Sequence, residues 1–429
     1  NTAGTSSKTV DALGNINAGT VKLQNDGVLR MADNKDLTGN VTTALAGTGA
    51  LTFLGTSTVT GNVGAAGTAL KAINAGATTE TVTFMSGVTY ANTLAYTGNG
   101  TVLFKGTSPA GVAPNLGFVG AVDFGTNVTS TGTLKLGDAV DLVTQNATSA
   151  GANTQTTFRD ANGATLRFDG SSTVTGNLGS ADNAGNQNFA HIFADGASGK
   201  VVNLLGKVYV SSSTFNVAGT GTVNFQDDLY GPLRYTADGT VNVADTKSIY
   251  PSTDATAAGS VTTTVANTGT LNFLGSTTTQ VPIGTSALPL KAVNFHSSTD
   301  VPTATVNIGH DVYATTTTIG NATGTTTANI TATGKYLGTN LTLSDNTTLN
   351  TAGNPATYTS YTDGTLAPSG VVTQSLIGGG ALNTNNATLN FAVGSQAWAS
   401  SNSGTGGLVN PAGSSTITGA AGSTLSMGA

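Results

Sequence analysis

Cysteine is absent from this 429-residue chain, and charged side chains are far scarcer than in most proteins. Only 8% of the chain's residues are Asp, Glu, Lys or Arg, against about 25% in an average soluble domain. The absence of cysteine suits a secreted bacterial protein that must stay unfolded and uncrosslinked during export. The net charge is −6 and no basic cluster occurs. We therefore do not expect nucleic acid as a partner, because phosphate neutralisation needs clustered Lys and Arg.

Long apolar runs and aromatic residues are also scarce. No run of about 18 apolar residues occurs, so we expect no transmembrane helix. The first residues, Asn1 to Gly4, include neither Met nor an apolar signal region, which predicts either that a leader has been removed or that the sequence has been shortened. Low charge with few aromatics can indicate disorder, but disordered chains are depleted in Val, Ile, Leu and Phe. Here short apolar triplets recur throughout, so an ordered protein is expected.

The residues that replace charge are Gly, Thr, Ser and Asn, with glycine alone at 58 positions. Threonine favours strands, whereas Asn and Gly favour the tight turns between them. The composition therefore predicts an all-β fold with many short strands and many turns.

One short string recurs through the chain and defines its organisation. The residues Gly-Thr-Leu-Asn-Phe at 269–273 return in related form at 49–53, 163–168 and 386–391. Leu and Phe alternate with polar residues, the period of a strand with one buried face. We therefore predict a repeat array with these inward-facing structural positions: Leu51, Phe53, Leu166, Phe168, Leu271, Phe273, Leu389 and Phe391.

The recurring strings divide the chain into four units without a Pro-rich or charged linker between them. We predict an N-terminal lead-in at 1–18, followed by repeat unit 1 (19–131), unit 2 (132–238), unit 3 (239–337), and a partial unit 4 with a tail (338–429).

Two architectures fit this pattern. The first is a parallel β-helix (β-solenoid) with coils of about 18–25 residues, which gives about 20 coils in all. The second is a string of tandem β-sandwich domains near 100 residues each. The apolar runs are short and the insertions between units differ in length, which a solenoid accommodates as bulging loops. These features favour the β-helix.

The repeated strings also carry a resemblance. The residues at 269–275, followed by a Gly-rich turn and Leu-Lys-Ala-Val-Asn-Phe at 290–295, resemble the passenger repeats of rickettsial-type outer-membrane autotransporters such as outer membrane protein B. The Thr/Gly/Asn bias is similar to that of bacterial surface-layer proteins. The resemblance implies a β-helical passenger that forms a surface coat or acts as an adhesin.

Candidate sites for chemistry are weak. The three histidines, His191, His296 and His310, show no paired spacing, and we expect them on the surface or in turns. Aspartates occur in three pairs, but no stretch concentrates them with Lys, Arg and aromatics as a saccharide-cleaving cleft would. These pairs are Asp138/Asp141, Asp160/Asp169 and Asp227/Asp228. We therefore predict that the protein is not an enzyme.

Calcium is the cofactor that the sequence favours most, although we expect no obligatory cofactor. The loops containing Asp160, Asn162, Asp182 and Asn183 place oxygen ligands beside glycine, as calcium-binding turns do. Neither loop matches a full calcium-binding motif, and ordinary Asx turns explain both loops better than calcium does.

These observations predict an extracellular structural protein of the bacterial cell surface. Its copies would assemble through low-charge faces and open edges into a surface layer or filament. Its partners would be other copies of itself, together with the outer membrane or another cell-surface anchor. The alternative is an adhesin-type passenger, a β-helical rod that displays binding loops. A polysaccharide-active β-helix is a third hypothesis.

Overall fold

The protein is an all-β parallel β-helix of about 13 turns, seen in a computed structural model. The structure describes residues 8–77, 79–85, 88–105, 117–125, 131–144, 156–182, 187–252, 259–330 and 335–350, and beyond residue 350 only Ala387 and the strands given below. The one helix in the described part is a single 3-10 turn, Ala161–Gly163. Consequently, no helix in that part is long and apolar enough to cross a membrane.

The chain forms two compact units. Unit 1 comprises Asn1–Asn216 with Gly221–Val223 and Ser252–Ala257, and unit 2 comprises Val217–Thr220, Asn224–Pro251 and Ala258–Ala429.

The strands up to residue 217 are β1 (Thr9–Ala12), β2 (Ile16–Leu23), β3 (Val28–Met31), β4 (Leu37–Thr43), β5 (Thr48–Phe53), β6 (Ser57–Thr60), β7 (Leu70–Ala75), β8 (Thr81–Phe84), β9 (Thr89–Tyr96), β10 (Thr101–Phe104), β11 (Phe118–Asp123), β12 (Thr133–Leu136), β13 (Leu142–Val143), β14 (Thr156–Arg159), β15 (Thr165–Phe168), β16 (Ser172–Thr175), β17 (Phe189–Ala194), β18 (Val201–Leu204) and β19 (Val208–Val217). In unit 1 they form three sheets, in the orders β1-β3-β5-β7-β9-β11-β14, β2-β4-β6-β8-β10-β12-β15-β17-β19 and β13-β16-β18.

The remaining strands are β20 (Thr222–Phe225), β21 (Leu229–Tyr230), β22 (Leu233–Tyr235), β23 (Thr240–Val243), β24 (Ile249–Tyr250), β25 (Val261–Thr263), β26 (Thr270–Phe273), β27 (Thr277–Thr278), β28 (Leu290–Phe295), β29 (Thr303–Ile308), β30 (Ala314–Ile319), β31 (Thr325–Ile330), β32 (Lys335–Tyr336), β33 (Asn340–Leu343), β34 (Thr347–Asn350), β35 (Ala356–Tyr358), β36 (Tyr361–Thr362), β37 (Thr365–Leu366), β38 (Val372–Gln374), β39 (Leu376–Ile377), β40 (Ala381–Thr384), β41 (Thr388–Phe391), β42 (Ser395–Trp398), β43 (Gly407–Val409), β44 (Thr416–Gly419) and β45 (Thr424–Met427). The two main sheets of unit 2 run β23-β26-β28-β30-β33-β40-β43 and β27-β29-β31-β34-β41-β44.

The core of unit 1 is a set of apolar columns that run from coil to coil. Val102, Leu134, Leu166 and Ile192 are direct register partners on four successive parallel strands. None of the four is more than 1% exposed. A single coil of four-residue strands cannot bury such side chains by itself, so each column depends on the coils before and after it.

Unit 2 is built in the same way. Val243, Phe273, Phe295, Ile319 and Leu343 pair in register along β23, β26, β28, β30 and β33. The rings of Phe273 and Phe295 stack with their centroids 5.2 Å apart and their planes 2° from parallel. Stacking of equivalent aromatic residues thus follows directly from the repeated Leu-x-Phe string.

The pairing between coils decides between the two expected architectures. Between residues 8 and 350, the described strands of successive coils pair in parallel, whereas β-sandwich sheets are antiparallel. The β-helix prediction is therefore confirmed and the sandwich alternative is wrong. The expected number of about 20 coils is also wrong, because the coils vary more than expected. Leu51 pairs with Ile73, 22 residues later, but Leu134 pairs with Leu166, 32 residues later.

Each unit contains a fully buried tyrosine whose hydroxyl group is satisfied by the next coil. Tyr96 Oη donates to the Thr133 carbonyl oxygen at 2.8 Å, and Tyr235 Oη donates to the Thr270 carbonyl oxygen at 2.9 Å. Burial raises the pKa of Tyr96 and of Tyr235 well above its ordinary value. Both phenols therefore stay neutral hydrogen-bond donors at physiological pH.

The glycine that opens the repeated Gly-Thr-Leu string makes room for these rings. A Cβ on Gly132 would lie 2.7 Å from Tyr96 Cδ1, and one on Gly269 would lie 2.4 Å from Tyr235 Cγ. Gly269 also has φ +87°, a conformation that favours glycine. Two separate constraints thus require glycine at this point of the repeat.

His296 lies in a turn, as expected, but it is fully buried and not on the surface. Its Nε2 lies 2.7 Å from the Val301 carbonyl oxygen and its Nδ1 lies 2.6 Å from Thr326 Oγ1. A carbonyl oxygen can only accept, so the Val301 contact requires a proton on Nε2, and the side-chain nitrogen of Asn321 also lies 3.0 Å from Nε2. The ring thereby joins the turn at 296–301 to the next coil.

Some hydroxyl groups in the described core, among them that of Thr317, lack such a partner. Thr317 occupies the inward column between Val293 and Leu341 and is 0% exposed. Its hydroxyl makes no hydrogen bond within the described part of the chain. A buried hydroxyl without a partner destabilises the folded state, because it has lost its hydrogen bonds to water.

Thr317 and Thr326 are both buried, and replacing each with valine should change the free energy of unfolding in opposite directions. We expect Thr317→Val to raise the free energy of unfolding by about 1 kcal/mol, because it removes an unsatisfied hydroxyl. We expect Thr326→Val to lower it by about 1–3 kcal/mol, because the buried Nδ1 of His296 loses its hydrogen-bond partner. Urea denaturation of both variants measures this, and destabilisation by Thr317→Val would contradict the packing described for β30.

Candidate functional site

The most regular surface of the chain is a face of threonine and asparagine in unit 2. The string Thr-x-Asn occurs at 305–307, 327–329, 348–350 and 388–390 and is followed by Thr-x-Thr at 416–418. These segments belong to β29, β31, β34, β41 and β44, which are consecutive strands of one sheet. We call this surface the threonine–asparagine face.

Register pairing aligns the segments of this face with one another. The threonines at 305, 327, 348, 388 and 416 are successive register partners, as are the asparagines at 307, 329, 350 and 390. The residues between them, such as Val306 and Leu349, are buried. Because side chains alternate along a strand, Thr and Asn point outward, two residues apart, on the described rungs at 305–307, 327–329 and 348–350.

The asparagines of the face are joined by a chain of side-chain hydrogen bonds. Asn350 Nδ2 donates to Asn329 Oδ1, and Asn329 Nδ2 donates to Asn307 Oδ1, both at 3.0 Å. Asn307 Nδ2 in turn lies 3.3 Å from Thr278 Oγ1. Asn307 and Asn329 therefore each use the donor on one neighbour and the acceptor on the other.

A second amide ladder runs along a neighbouring sheet of unit 2. Asn294 donates to Asn272, Asn272 donates to Asn242, and Asn242 donates to Asn224, each at 2.8 Å. Sequence analysis identified the strands that carry these residues but not the ladder. One sequence signal could have identified the ladder. In these strands Asn recurs directly after the inward Leu or Val, most often two residues after Thr.

The threonine–asparagine face carries no charged side chain on its rungs at 303–308, 325–330 and 347–350. Charges in unit 2 lie elsewhere, as in the pair between Lys291 Nζ and Asp238 Oδ2 at 2.8 Å. The hydrogen bond from Lys291 holds the pKa of Asp238 below its ordinary value. Both side chains are about half exposed, at 55% and 46%, so this pair contributes little to stability.

The predicted repeat positions lie in the core. Leu51, Phe53, Leu166, Phe168, Leu271, Phe273 and Leu389 are all buried, with no more than 2% exposed. Phe391 ends β41, and its side chain lies outside the described residues.

The paired aspartates of the sequence serve mainly as links between coils. Apart from Asp160, each contacts another coil, either through an ion pair with a lysine or by accepting a hydrogen bond from a backbone N–H group. The contacts are Asp138 with Lys200 (2.6 Å), Asp141 with Thr173 N (2.8 Å), Asp169 with Lys135 (2.9 Å), Asp227 with Lys247 (2.8 Å) and Asp228 with Ser248 N (3.0 Å). These carboxylates therefore have a structural role in holding neighbouring turns together.

A recurrent aspartate–glycine contact is part of this pattern and was missed from the sequence. Three aspartates accept the backbone N–H of a residue in the turn one coil later: Asp33 from Thr56 (2.9 Å), Asp138 from Ser171 (2.8 Å) and Asp245 from Ser276 (2.6 Å). The preceding residue in each turn is glycine, and a Cβ on Gly275 would lie 2.2 Å from Asp245 Oδ1. Glycine is needed there because the carboxylate occupies that space.

Two of the predicted calcium ligands, Asp160 and Asn162, lie at one 3-10 turn. Asp160 has φ +52° and precedes the 3-10 turn that contains Asn162. Asp160, Asn162 and Asp182 each already interact with another group of the chain, and Asn183 lies outside the described residues. Over the part of the chain that the structure describes, no group of three or more His, Asp or Glu could hold a metal ion. Calcium binding stays a prediction.

Comparison with known proteins adds no assignment. No family model, no curated protein and no solved structure matches this chain. The resemblance to autotransporter passenger repeats stays a prediction, and function must be argued from the surfaces described above.

The amide ladder can be tested with an isosteric change. Asn329→Asp removes the donor to Asn307 Oδ1 and places a carboxylate beside that oxygen, so we expect the free energy of unfolding to fall by about 1–3 kcal/mol. The control is Asn92→Asp, because Asn92 is an exposed strand asparagine whose side chain makes no hydrogen bond in the described part of the chain. There we expect a change within about 0.5 kcal/mol. Equal effects in chemical denaturation would show that the ladder contributes nothing.

Proposed function

We propose that this chain is a non-enzymatic structural protein of the bacterial cell surface, and that its copies assemble into a layer or filament. The observation that carries the proposal is the threonine–asparagine face, a ladder without charge on five consecutive in-register strands. Other copies of the chain are the proposed partners. A surface anchor such as the outer membrane would hold the assembly on the cell.

The charge distribution supports contact between copies. Interface centres are depleted in charged residues, since burying an unpaired charge is costly. The rungs at 325–330 and 347–350 carry none. A net charge of −6 over 429 residues also gives only weak repulsion between copies. Two such faces can therefore approach each other without an electrostatic penalty.

The amide ladder supports the same use. Burying a polar group is costly unless its hydrogen bonds are kept. Asn329 already donates to Asn307 and accepts from Asn350, so covering this face removes fewer hydrogen bonds to water than covering unpaired amides would. The threonine methyl groups add apolar contact. Because coils are spaced about 4.8 Å apart in every copy, the rungs of two facing copies have the same spacing.

Cross-linking is not needed for such an assembly. The chain has no cysteine, and the aspartates that could have formed a catalytic pair instead link coils, as Asp227 does through Lys247. The proposal therefore assigns the chain a role in recognition and no chemical step. It places the protein outside the cell and treats calcium as an optional ion.

Charge placed on the face should prevent assembly. We expect the purified protein to form sheets or filaments and Thr327→Lys/Thr348→Lys to remain dispersed. The two lysines would lie side by side on neighbouring rungs and would face the lysines of the next copy. Like charges that face each other cost several kcal/mol, so we expect the concentration needed for assembly to rise by about tenfold or more. Negative-stain electron microscopy and sedimentation measure this, with calcium and with a chelator.

The matched control is Thr81→Lys/Thr101→Lys. These two threonines are also register partners on neighbouring coils, and the substitution adds the same charge away from the threonine–asparagine face. We expect this variant to assemble like the wild type. A wild-type protein that stays monomeric in every condition would contradict the proposal and favour the adhesin alternative. Assembly of the Thr327/Thr348 variant at wild-type concentrations would exclude this face as the contact.

A further inference from the structure

A surface pocket of about 280 Å³ lies in unit 2, where β24 and β27 are each only two residues long. Six serines and threonines line it, together with Tyr250, Gln280 and Asn307. None of the lining residues is charged. The pocket therefore offers hydroxyl, amide and aromatic groups to a ligand, but no ionic partner.

Hydrogen bonds within the chain hold one wall of the pocket in place. Ser248 Oγ lies 2.9 Å from the Thr278 carbonyl oxygen and 3.1 Å from Thr277 Oγ1. Asn307 Nδ2 lies 3.3 Å from Thr278 Oγ1. These side chains are thus oriented by their neighbours before any ligand arrives, which lowers the entropy cost of binding.

Two other polar groups remain available to a ligand. Gln280 is half-buried, and its side-chain amide makes no hydrogen bond in the described part of the chain. The hydroxyl of Thr305, an exposed residue of the same pocket, likewise makes none there, although the Thr305 N–H is bonded to Ser276 Oγ at 3.0 Å. The side-chain amide of Gln280 supplies both a donor and an acceptor.

The aromatic member of the pocket is held by a second ring. Tyr250 stacks on Tyr230 with centroids 5.0 Å apart and planes 14° from parallel. The two residues are register partners on β24 and β21. Tyr250 is half-buried and presents an amphipathic ring, apolar in its body and polar at its tip.

We propose that this pocket binds a neutral saccharide through one sugar ring. A sugar is uncharged, carries many hydroxyl groups that pair with amide and hydroxyl side chains, and has an apolar face that packs on an aromatic ring. The volume lies near the lower end of the roughly 300–1,000 Å³ of small-molecule sites, which suits a single ring. Saccharide binding goes beyond self-assembly, but the pocket shares Thr305 and Asn307 with the threonine–asparagine face, so an assembly through that face would cover it.

Saturation-transfer NMR on the full chain tests the proposal, because the method detects weak binding to monomers and to large assemblies. The probes are the methyl glycosides of glucose, galactose and mannose, N-acetylglucosamine, and N-acetylneuraminic acid as an anionic comparison. We expect at least one neutral sugar to bind with a millimolar dissociation constant, and the anionic sugar to bind more weakly than it.

Two variants and a control connect binding to the pocket. We expect Tyr250→Ala and Gln280→Ala each to weaken binding by about tenfold or more, and Gln280→Ala keeps the test readable if loss of the tyrosine stack disturbs folding. Tyr313→Ala should bind like the wild type, because Tyr313 belongs to another stacked pair, with Tyr336 at 4.6 Å, and does not line the pocket.

Binding is therefore measured on the dispersed Thr327→Lys/Thr348→Lys variant, in which the pocket is not covered by another copy. The proposal is overturned if no neutral sugar binds to that variant, if the anionic sugar binds as tightly, or if adding a folded Gln280→Ala change leaves binding unaltered. Sugar binding by the dispersed variant supports the pocket whether or not the wild type assembles. Assembly by the wild type, with no sugar binding by the dispersed variant, supports self-assembly alone.

Discussion

Register pairing between successive coils is the constraint on which the rest of this structure depends. A four-residue strand with two inward side chains cannot form a core by itself. In unit 1, Leu134 becomes buried only because Val102 and Leu166 lie directly beside it on the neighbouring strands. Any slip by one residue would turn the inward Leu and Phe toward solvent and the outward Thr and Asn toward the core.

The same register determines the surface. Because every coil repeats the alternation of the one before, polar side chains also fall into columns, and a column of asparagines can join its amides end to end, as from Asn294 to Asn224. Turns are aligned as well, so that Asp245 on one coil reaches the N–H of Ser276 on the next. A chain with only 8% charged residues therefore satisfies its polar groups largely through neighbouring coils.

Much of this fold could be predicted from the sequence, because the relevant signals are local. Alternation at 269–273 and its copies predicted short strands with Leu271 and Phe273 inward, and short runs with variable insertions favoured a solenoid. The number of coils could not be predicted, since insertions such as the one between Leu134 and Leu166 lengthen a coil without changing its strands.

Interactions between coils were not predictable to the same degree, because they join residues far apart in the chain. His296 was expected on the surface or in a turn, yet its partner Thr326 lies 30 residues later and no local pattern connects the two. The aspartates were considered as acid pairs by their closeness in sequence, whereas Asp138 contacts Lys200, 62 residues away. The asparagine ladder and the saccharide pocket likewise arise only when coils stack.

Disulfide trapping of register partners tests the parallel in-register stacking most directly, and the absence of cysteine makes every introduced pair unambiguous. Thr305→Cys/Thr327→Cys joins direct partners, whereas Thr305→Cys/Asn329→Cys joins positions two residues out of register. A disulfide needs Cα atoms about 4.4–6.8 Å apart, so the first pair should form an intramolecular bond under mild oxidation much faster than the second. Equal rates, or faster bonding of the second pair, would contradict the coil register and with it the account of core, ladder and face.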